Sequence, residues 1–222
     1  TIPTIKGIMK SRPREAILGE AQMLAAGGLR ELVLIAQDLT DYGSDRGERD
    51  GLASLVSDIT LAAPSLDWVR LMYAYPGAVT DKLIEVMATN DKVVKYLDIP
   101  LQHGHPDTLR RMRRPSNIDW VYRTLEKMRK AIPELCVRTT FIVGYPGETE
   151  AEFDGLMKFV DDMQFDRVGV FTYSYEANTP SGALADQIPE DVKEARRDAL
   201  MAKQQQISLR RNQRLVGKTL TT

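Results

Sequence analysis

The sequence predicts an α/β fold with parallel strands, either a (βα) barrel or a doubly wound sheet. Five short apolar segments typical of strands are each separated by a segment in which apolar residues recur at helical spacing. Strands that follow one another through helices run parallel, with right-handed crossovers. With 222 residues, of which 43% are hydrophobic, the chain is long enough to bury a substantial core.

The first helix and the first strand are delimited by their flanking residues. Ser11 is a predicted N-cap for a helix whose first position is near Pro13, and Gly27 with Gly28 ends that helix. Residues 31–36 (ELVLIA) form an apolar run of the kind found in strands that are buried on both faces.

The remaining elements alternate in the same way. Thr80 is a predicted N-cap for a helix that extends to about Met87. The other predicted elements are helices over 51–62, 106–113, 118–131 and 148–163 and strands over 68–73, 93–99, 137–143 and 167–173. A predicted loop over 182–188 leads to a highly charged helix over 189–215, whose charges indicate either a solvated face or a lead into a further domain.

The composition excludes several classes of protein. A net charge of −1 argues against bulk electrostatic attachment to nucleic acid. No run of about 18 apolar residues could cross a membrane, and no signal peptide is visible. The single cysteine, Cys136, rules out an internal disulfide, fits a reducing cytoplasm, and is expected to be a small buried residue. Two histidines, His103 and His105, are too few for a zinc site. A first residue other than methionine suggests a fragment.

Polar residues end nearly every predicted strand, at the positions where function gathers in parallel α/β folds. Loops are exposed to solvent, so polar residues can stand there without a function. Asp98, however, lies inside an apolar run, where the desolvation of its carboxylate is costly. The strand-end residues in chain order are Gln37 and Asp38, Tyr73 and Tyr75, Asp98, Gln102 and His103, residues 144–148, and Tyr173, Ser174, Tyr175 and Glu176.

The sharpest local signal is residues 144–148, Gly-Tyr-Pro-Gly-Glu, here named the GYPGE loop. Its two glycines allow a tight turn and a close approach to a ligand, and Glu148 is expected in the first turn of the next helix, where a carboxylate suits the dipole. A plain strand-to-helix turn is the alternative. Arg138 and Thr140 share one face of the preceding strand. Arg138 can then hold a ligand carboxylate or, equally, pair with Asp98.

Two further features have open interpretations. A basic cluster of four arginines indicates a solvated helix face or a contact with an anion, either a ligand carboxylate or ribosomal RNA. The cluster consists of Arg110, Arg111, Arg113 and Arg114. His103 is either a general base or a hydrogen-bonded structural residue.

Together these segments resemble the radical S-adenosylmethionine (SAM) methylthiotransferases over nearly the whole chain. Residues 1–7 with 11–13 are similar to the stretch that follows the cluster-binding CxxxCxxC loop, and residues 143–149 resemble a barrel-strand signature. One branch of this family modifies adenosine in tRNA, typically with Gln-Asn where Gln37 and Asp38 stand here. The other modifies an aspartate of a ribosomal protein, and it is resembled by residues 34–38, 42–43, 70–73, 96–103, 138–144 and 168–174.

The resemblance implies a partial TIM-like (βα) barrel of radical SAM type over residues 1–188, with its first strand missing. Residues 189–222 are then a helix leading to a truncated, TRAM-like substrate-binding domain that begins near residues 216–220. The implied cofactors are two 4Fe–4S clusters and S-adenosylmethionine. In the family, a 5′-deoxyadenosyl radical takes hydrogen from the β-carbon of the target aspartate, an auxiliary cluster takes part in sulfur transfer, and a second S-adenosylmethionine supplies the methyl group.

The resemblance also implies roles for eight residues. Gln37 and Asp38 stand where these barrels meet the methionine amino group, and Ile142 and Gly144 match positions that line the adenine. Candidates for ribose or carboxylate contacts are Asp98, Gln102, Arg138 and Thr140. No catalytic residue and no metal ligand is assigned, because the cluster cysteines are expected upstream of Thr1, and we expect this chain alone to be inactive.

The expected partner is a ribosomal protein of the small subunit, in the cytoplasm, without membrane attachment or direct nucleic-acid binding by this chain. The alternatives are the tRNA branch and a non-catalytic module that binds S-adenosylmethionine or a ribosomal protein. A conventional lyase or aldolase barrel would need a Schiff-base lysine or a metal constellation, and Lys95 is mid-strand without a companion.

Overall fold

The structure, a computed structural model, describes residue 5 and residues 7–219 of the chain. Most of the resemblance segment 1–7, and residue 220 of the predicted C-terminal domain start, lie outside the described residues. The described helices are α1 (Arg14–Ala26), α2 (Gly51–Ala62), α3 (Asp81–Thr89), α4 (Pro106–Arg111), α5 (Ile118–Ala131), α6 (Glu150–Met163) and α7 (Glu190–Gln213). The strands are β1 (Glu31–Leu34), β2 (Trp68–Leu71), β3 (Val93–Asp98), β4 (Cys136–Val143) and β5 (Arg167–Thr172).

The chain forms two compact units, of which the first contains residues 1–98 and 124–135. Its strands lie in the order β1-β2-β3 and pair in parallel, with a register shift between Val69 and Leu71 of β2. The helices cover the sheet with fully buried side chains such as Ile59, Met87 and Leu125. Parallel strands joined by helices are what the apolar periodicity predicts.

The second unit contains residues 99–123 and 136–222, and its two strands, β4 and β5, also pair in parallel. Its core centres on three fully buried rings, Phe141, Phe159 and Phe165, whose centroids lie 5.8–6.2 Å apart. The tilted and edge-on arrangement of these rings is the one that aromatic pairs favour. The predicted alternation of helices with parallel strands is therefore confirmed in both units.

Two local predictions about the first unit are wrong. Ser11 does not cap α1, because its hydroxyl donates to Asp45 Oδ1 at 2.5 Å and accepts from the Gly43 N–H at 2.9 Å. Strand β1 is not buried on both faces, since Val33 is 44% exposed and Ile35, just past the strand, is 70% exposed. Val33 and Ile35 lie two residues apart and so share one face, which is exposed, whereas Leu32 and Leu34 on the other face are half-buried.

The charged C-terminal helix α7 is not merely a solvated face. One stripe of it is buried in the second unit, at spacings of three and four residues. The stripe consists of Lys193, Arg196, Leu200, Gln204 and Ile207. Among the described residues, no helix combines the length and the apolar character needed to cross a bilayer.

Candidate functional site at the carboxyl ends of the strands

In the first unit, the loops that follow β1 and β2 are hydrogen-bonded to one another. Asp38 accepts a hydrogen bond from the Thr40 N–H at 3.0 Å and so caps the short 3₁₀ turn Leu39–Asp41. The Leu39 N–H donates to the Tyr73 carbonyl at 3.0 Å, and the Thr40 hydroxyl accepts from the Tyr75 N–H at 3.2 Å. Asp38 therefore organises the local turn, whereas Gln37 beside it is exposed.

The third strand of this unit ends at the same edge. Asp98 is only 3% exposed, and its carbonyl accepts from the Ala74 N–H at 2.9 Å. Tyr73 occupies the left-handed backbone region at φ +57° with its side chain half exposed. Three predicted site residues, Gln37, Asp38 and Asp98, thus belong to this edge of the first unit.

In the second unit, four of the other predicted residues lie together. The backbone N–H of Gln102 donates to the Thr140 carbonyl at 2.9 Å, and the Gln102 carbonyl accepts from the Ile142 N–H at 2.7 Å. Gln102 makes this bridge with φ +71°, a conformation that is unfavourable for a residue with a Cβ. Gly144 follows Ile142 by two positions. The four residues at the carboxyl end of β4 are therefore Gln102, Thr140, Ile142 and Gly144.

The alternation of side chains along β4 confirms that Arg138 and Thr140 share a face. The odd positions from Val137 to Val143 are buried, whereas Arg138 is exposed and Thr140 and Ile142 are half-buried. A side-chain period of two produces this division. One face of β4 therefore builds the core, and the other offers a guanidinium, a hydroxyl and an apolar side chain.

The GYPGE loop has the conformation that its glycines permit. Gly144 and Gly147 have φ of +71° and +76°, in the region that favours glycine. The Glu148 carboxylate folds back on the loop, where its Oε2 accepts from the Gly144 N–H at 2.5 Å and from the Tyr145 N–H at 3.1 Å. The expectation that Glu148 lies in a first helical turn is wrong, because Thr149 caps α6 and the helix begins one residue later.

The Glu148 carboxylate is fully buried, and its cationic partner comes from α7. Arg196 donates from Nη1 to the Glu148 carbonyl at 3.1 Å and to Oε1 at 3.3 Å. Burial raises the pKa of Glu148, while Arg196 and the two loop N–H groups act in the opposite direction. Sequence reasoning missed Arg196 and its neighbour Lys193, because a buried stripe that contains charged residues has no apolar periodicity to reveal it.

The basic cluster divides into separate roles. Arg111 binds both oxygens of Glu152, at 2.9 and 2.5 Å, beside the capping box between Thr149 and Glu152. Although burial raises the pKa of Glu152, the hydrogen bonds from Arg111 and Thr149 outweigh it and lower the value to about 2. Arg111 is therefore a structural partner of α6, while Arg113 and Arg114 are exposed.

His103 is a structural residue in this unit. It is completely buried, and its Nδ1 accepts from the His105 N–H at 2.9 Å. Burial lowers the pKa of His103 to about 3, so the ring is neutral at physiological pH. A buried neutral imidazole whose Nδ1 is already occupied does not suit the general-base interpretation.

The described residues do not fit a metal centre or an iron–sulfur cluster. One group of donors, His105, Asp107 and Glu152, lies within 4.8 Å, but Arg111 already provides the positive charge at Glu152. Cys136 is half-buried rather than buried, because it is the first residue of β4. An iron–sulfur cluster is usually held by several cysteine thiolates, and the sequence contains one cysteine.

A family model for the radical SAM superfamily matches residues 2–160. The chain belongs to this superfamily. Two curated relatives of this radical SAM chain are both called ribosomal protein uS12 methylthiotransferase RimO. The protein from Chloroflexus aurantiacus is 53% identical over 220 residues, and the one from Herpetosiphon aurantiacus is 51% identical over 221 residues. Each match covers 99% of this chain but 48% and 47% of the relative, so the chain spans about half the length of the curated relatives it matches.

Solved structures share the fold of this radical SAM chain. Coproporphyrinogen III oxidase (HemN) from Escherichia coli, described as a radical SAM enzyme, aligns with a TM-score of 0.66 over 87% of this chain and 45% of its own, at 15% identity. The radical S-adenosylmethionine methyltransferase TsrM from Kitasatospora setae aligns with a TM-score of 0.60 over 77% of this chain and 33% of its own, at 16% identity. The predicted fold class, a partial (βα) barrel of radical SAM type, is confirmed.

Proposed function

We propose that this chain is the S-adenosylmethionine-binding part of an enzyme that methylthiolates the β-carbon of an aspartate in the small-subunit ribosomal protein uS12. The observation that carries the proposal is the identity of 53% over almost the entire chain with relatives of that name. A tRNA methylthiotransferase and a non-catalytic binding module are the competing functions, and the segments of the sequence that resemble the ribosomal-protein branch favour the first proposal. A cytoplasmic location, where ribosomes are, belongs to the same proposal.

Residues of both units have the chemistry to hold S-adenosylmethionine. In the second unit, Arg138 can bind the methionine carboxylate, because a guanidinium pairs with a carboxylate through two parallel hydrogen bonds. Ile142 offers an apolar contact and Gly144 a bare backbone for the adenine, while Gln102 and Thr140 offer hydrogen bonds to the ribose. For the first unit, taken by itself, we propose that Gln37, Asp38 and Asp98 offer polar contacts suited to S-adenosylmethionine.

The two 4Fe–4S clusters of the proposed enzyme need ligands that are not among these 222 residues. A single cysteine does not fit either cluster, and the relatives are about twice as long as the match. In the proposed division of labour, this chain binds and orients S-adenosylmethionine. We further propose that residues 189–222 lead into a TRAM-like domain that binds the protein substrate, and that this chain alone is inactive.

The first test of the proposal is mass spectrometry of uS12 and of tRNA nucleosides from cells with and without the intact gene. We expect uS12 to lose its methylthio group in the deletion strain while the tRNA nucleosides stay normal. Normal uS12 with altered tRNA nucleosides would favour the tRNA branch, and no change in either would favour a binding module.

The second test concerns the binding residue itself. In the cluster-loaded intact protein, Arg138→Met is expected to weaken S-adenosylmethionine binding by about tenfold or more, the usual effect of losing a charge-assisted hydrogen bond. Arg197→Met is the matched control, since Arg197 lies on α7, is 39% exposed and pairs with its neighbour Asp198. Equal binding by the two variants in equilibrium dialysis would remove Arg138 from the site.

A further inference from the structure

We propose that two buried residues of α7 belong to the cofactor site, with Lys193 and Arg196 holding the GYPGE loop in its binding conformation and Arg196 acting as a positioning residue. This inference rests on the proposed function, because it assumes that the loop binds S-adenosylmethionine. It adds a segment whose charged sequence gave no sign of such a role. Three observations support it.

The first observation is steric. A Cβ added to Gly144 would lie 2.3 Å from Lys193 Cγ and 3.1 Å from Lys193 Cβ, so the lysine stem occupies the space beside the glycine. The Lys193 ammonium is held in place by the Tyr173 carbonyl at 3.0 Å and by Glu190 Oε2 at 3.0 Å. Helix α7 therefore supports the loop after β4 and the end of β5 at the same time.

The second observation is the division of the Glu148 carboxylate between two partners. Its Oε2 accepts from the N–H groups of Gly144 and Tyr145, and its Oε1 faces Arg196. A continuous chain of hydrogen bonds thus runs from the α7 guanidinium through Glu148 to the backbone at the carboxyl end of β4. The position of Arg196 fixes the carboxylate, and the carboxylate fixes the loop.

The third observation is that Arg196 is itself anchored from several sides. Its Nη2 donates to Glu150 Oε2 at 2.9 Å, and its guanidinium carbon lies 5.5 Å from the centre of the Phe153 ring. The side chains of Arg196 and Glu148 are 8% and 0% exposed. Removing one member of a buried ion pair leaves an uncompensated charge, which the protein relieves by protonation or by opening the loop.

The direct test is hydrogen exchange of the loop, resolved to residues 144–149, in the full chain of 222 residues. We expect Arg196→Met to speed exchange of the Gly144 and Tyr145 amides by about tenfold or more, because a hydrogen bond to a charged group is lost. Arg197→Met is the matched control, since Arg197 is the next residue of α7, is 39% exposed, and pairs with its neighbour Asp198. Loop exchange that is unchanged in a folded Arg196→Met chain would overturn the proposal.

Further variants separate positioning from stability. Arg196→Lys keeps a cation and is expected to restore part of the loop protection. If Arg196→Met does not fold, Glu148→Gln tests the same hydrogen-bond chain with a neutral side chain of equal shape, and wild-type protection in that variant would also overturn the proposal.

The same substitutions in the cluster-loaded intact protein test the link to the cofactor. We expect S-adenosylmethionine to bind about tenfold more weakly to the Arg196→Met protein in equilibrium dialysis, with the Arg197→Met protein unchanged. Unchanged binding by Arg196→Met would refute the positioning role and leave the proposed function standing. A wild-type protein that binds no S-adenosylmethionine, while Arg196→Met still frees the loop, would refute the proposed function and leave the loop–α7 connection standing.

Discussion

Replacing Gly144 by alanine tests the described geometry of the GYPGE loop in a single step. The backbone φ of +71° is one that a residue with a Cβ adopts at a cost of about 1–2 kcal/mol. The new Cβ would also lie 2.3 Å from Lys193 Cγ, and overpacking of this kind costs about 1–3 kcal/mol. We therefore expect Gly144→Ala to lower the free energy of unfolding by about 2–5 kcal/mol, the sum of the two costs.

Two control variants separate the backbone cost from the steric cost in urea unfolding followed by circular dichroism. Gly28→Ala has a similar backbone requirement, with φ +95°, but no atom within 4 Å of the new Cβ, so it should show the backbone cost alone. In a Lys193→Ala background, the nearest obstacle is gone and Gly144→Ala should become less destabilising. A steric cost at Gly144 would be refuted if Gly144→Ala costs no more than Gly28→Ala, or if its excess cost is the same with and without the lysine stem.

Three other predictions concern stability. The pKa of Glu152 is lowered from 4.5 to about 2, so its stabilising contribution is complete above pH 4.5 and is lost as the pH falls towards 2. Glu152→Gln should remove this pH-dependent contribution to the free energy of unfolding, which is at most about 3 kcal/mol before solvent screening. The measurement is urea unfolding of the wild type and the variant at several pH values, and an equal pH dependence of the two proteins would contradict the prediction. The pKa of Glu148 is raised above 4.5, so ionisation of this side chain lowers the free energy of unfolding as the pH rises from 4.5. Glu148→Gln cannot ionise there and should therefore lose less stability over that pH range than the wild type. Phe141→Ala should cost about 3–5 kcal/mol in the same assay, while Phe171→Ala, at a 61% exposed position, should cost little.

Apolar periodicity predicted the bounds of two helices, whereas one of the two caps predicted from single residues was wrong. The predicted bounds of Gly51–Ala62 and Ile118–Ala131 coincide with the observed ones, and Thr80 accepts the capping hydrogen bond from the Leu83 N–H as expected. Ser11 failed as a cap because its partner Asp45 is 34 residues away. A capping pattern describes only nearby residues, so it does not foresee such a competitor.

The candidate site was predictable to the extent that it follows from strand periodicity. The period of two placed Arg138 and Thr140 on one face of β4, and the structure agrees and adds Ile142 to that face. The pairing of Glu148 with Arg196 joins residues 48 positions apart, and no local rule connects them. The left-handed backbone of Gln102 was equally hidden, since glutamine is not a residue that signals positive φ.

The division of the Glu148 carboxylate sets a requirement for length as well as for charge. Aspartate would keep the negative charge but shorten the side chain by one methylene. A carboxylate drawn back by that distance could stay with the loop N–H groups or with Arg196, and would lose the other. The distance between helix α7 and the loop therefore requires the length of a glutamate, and conserving the charge with aspartate does not conserve both sets of contacts.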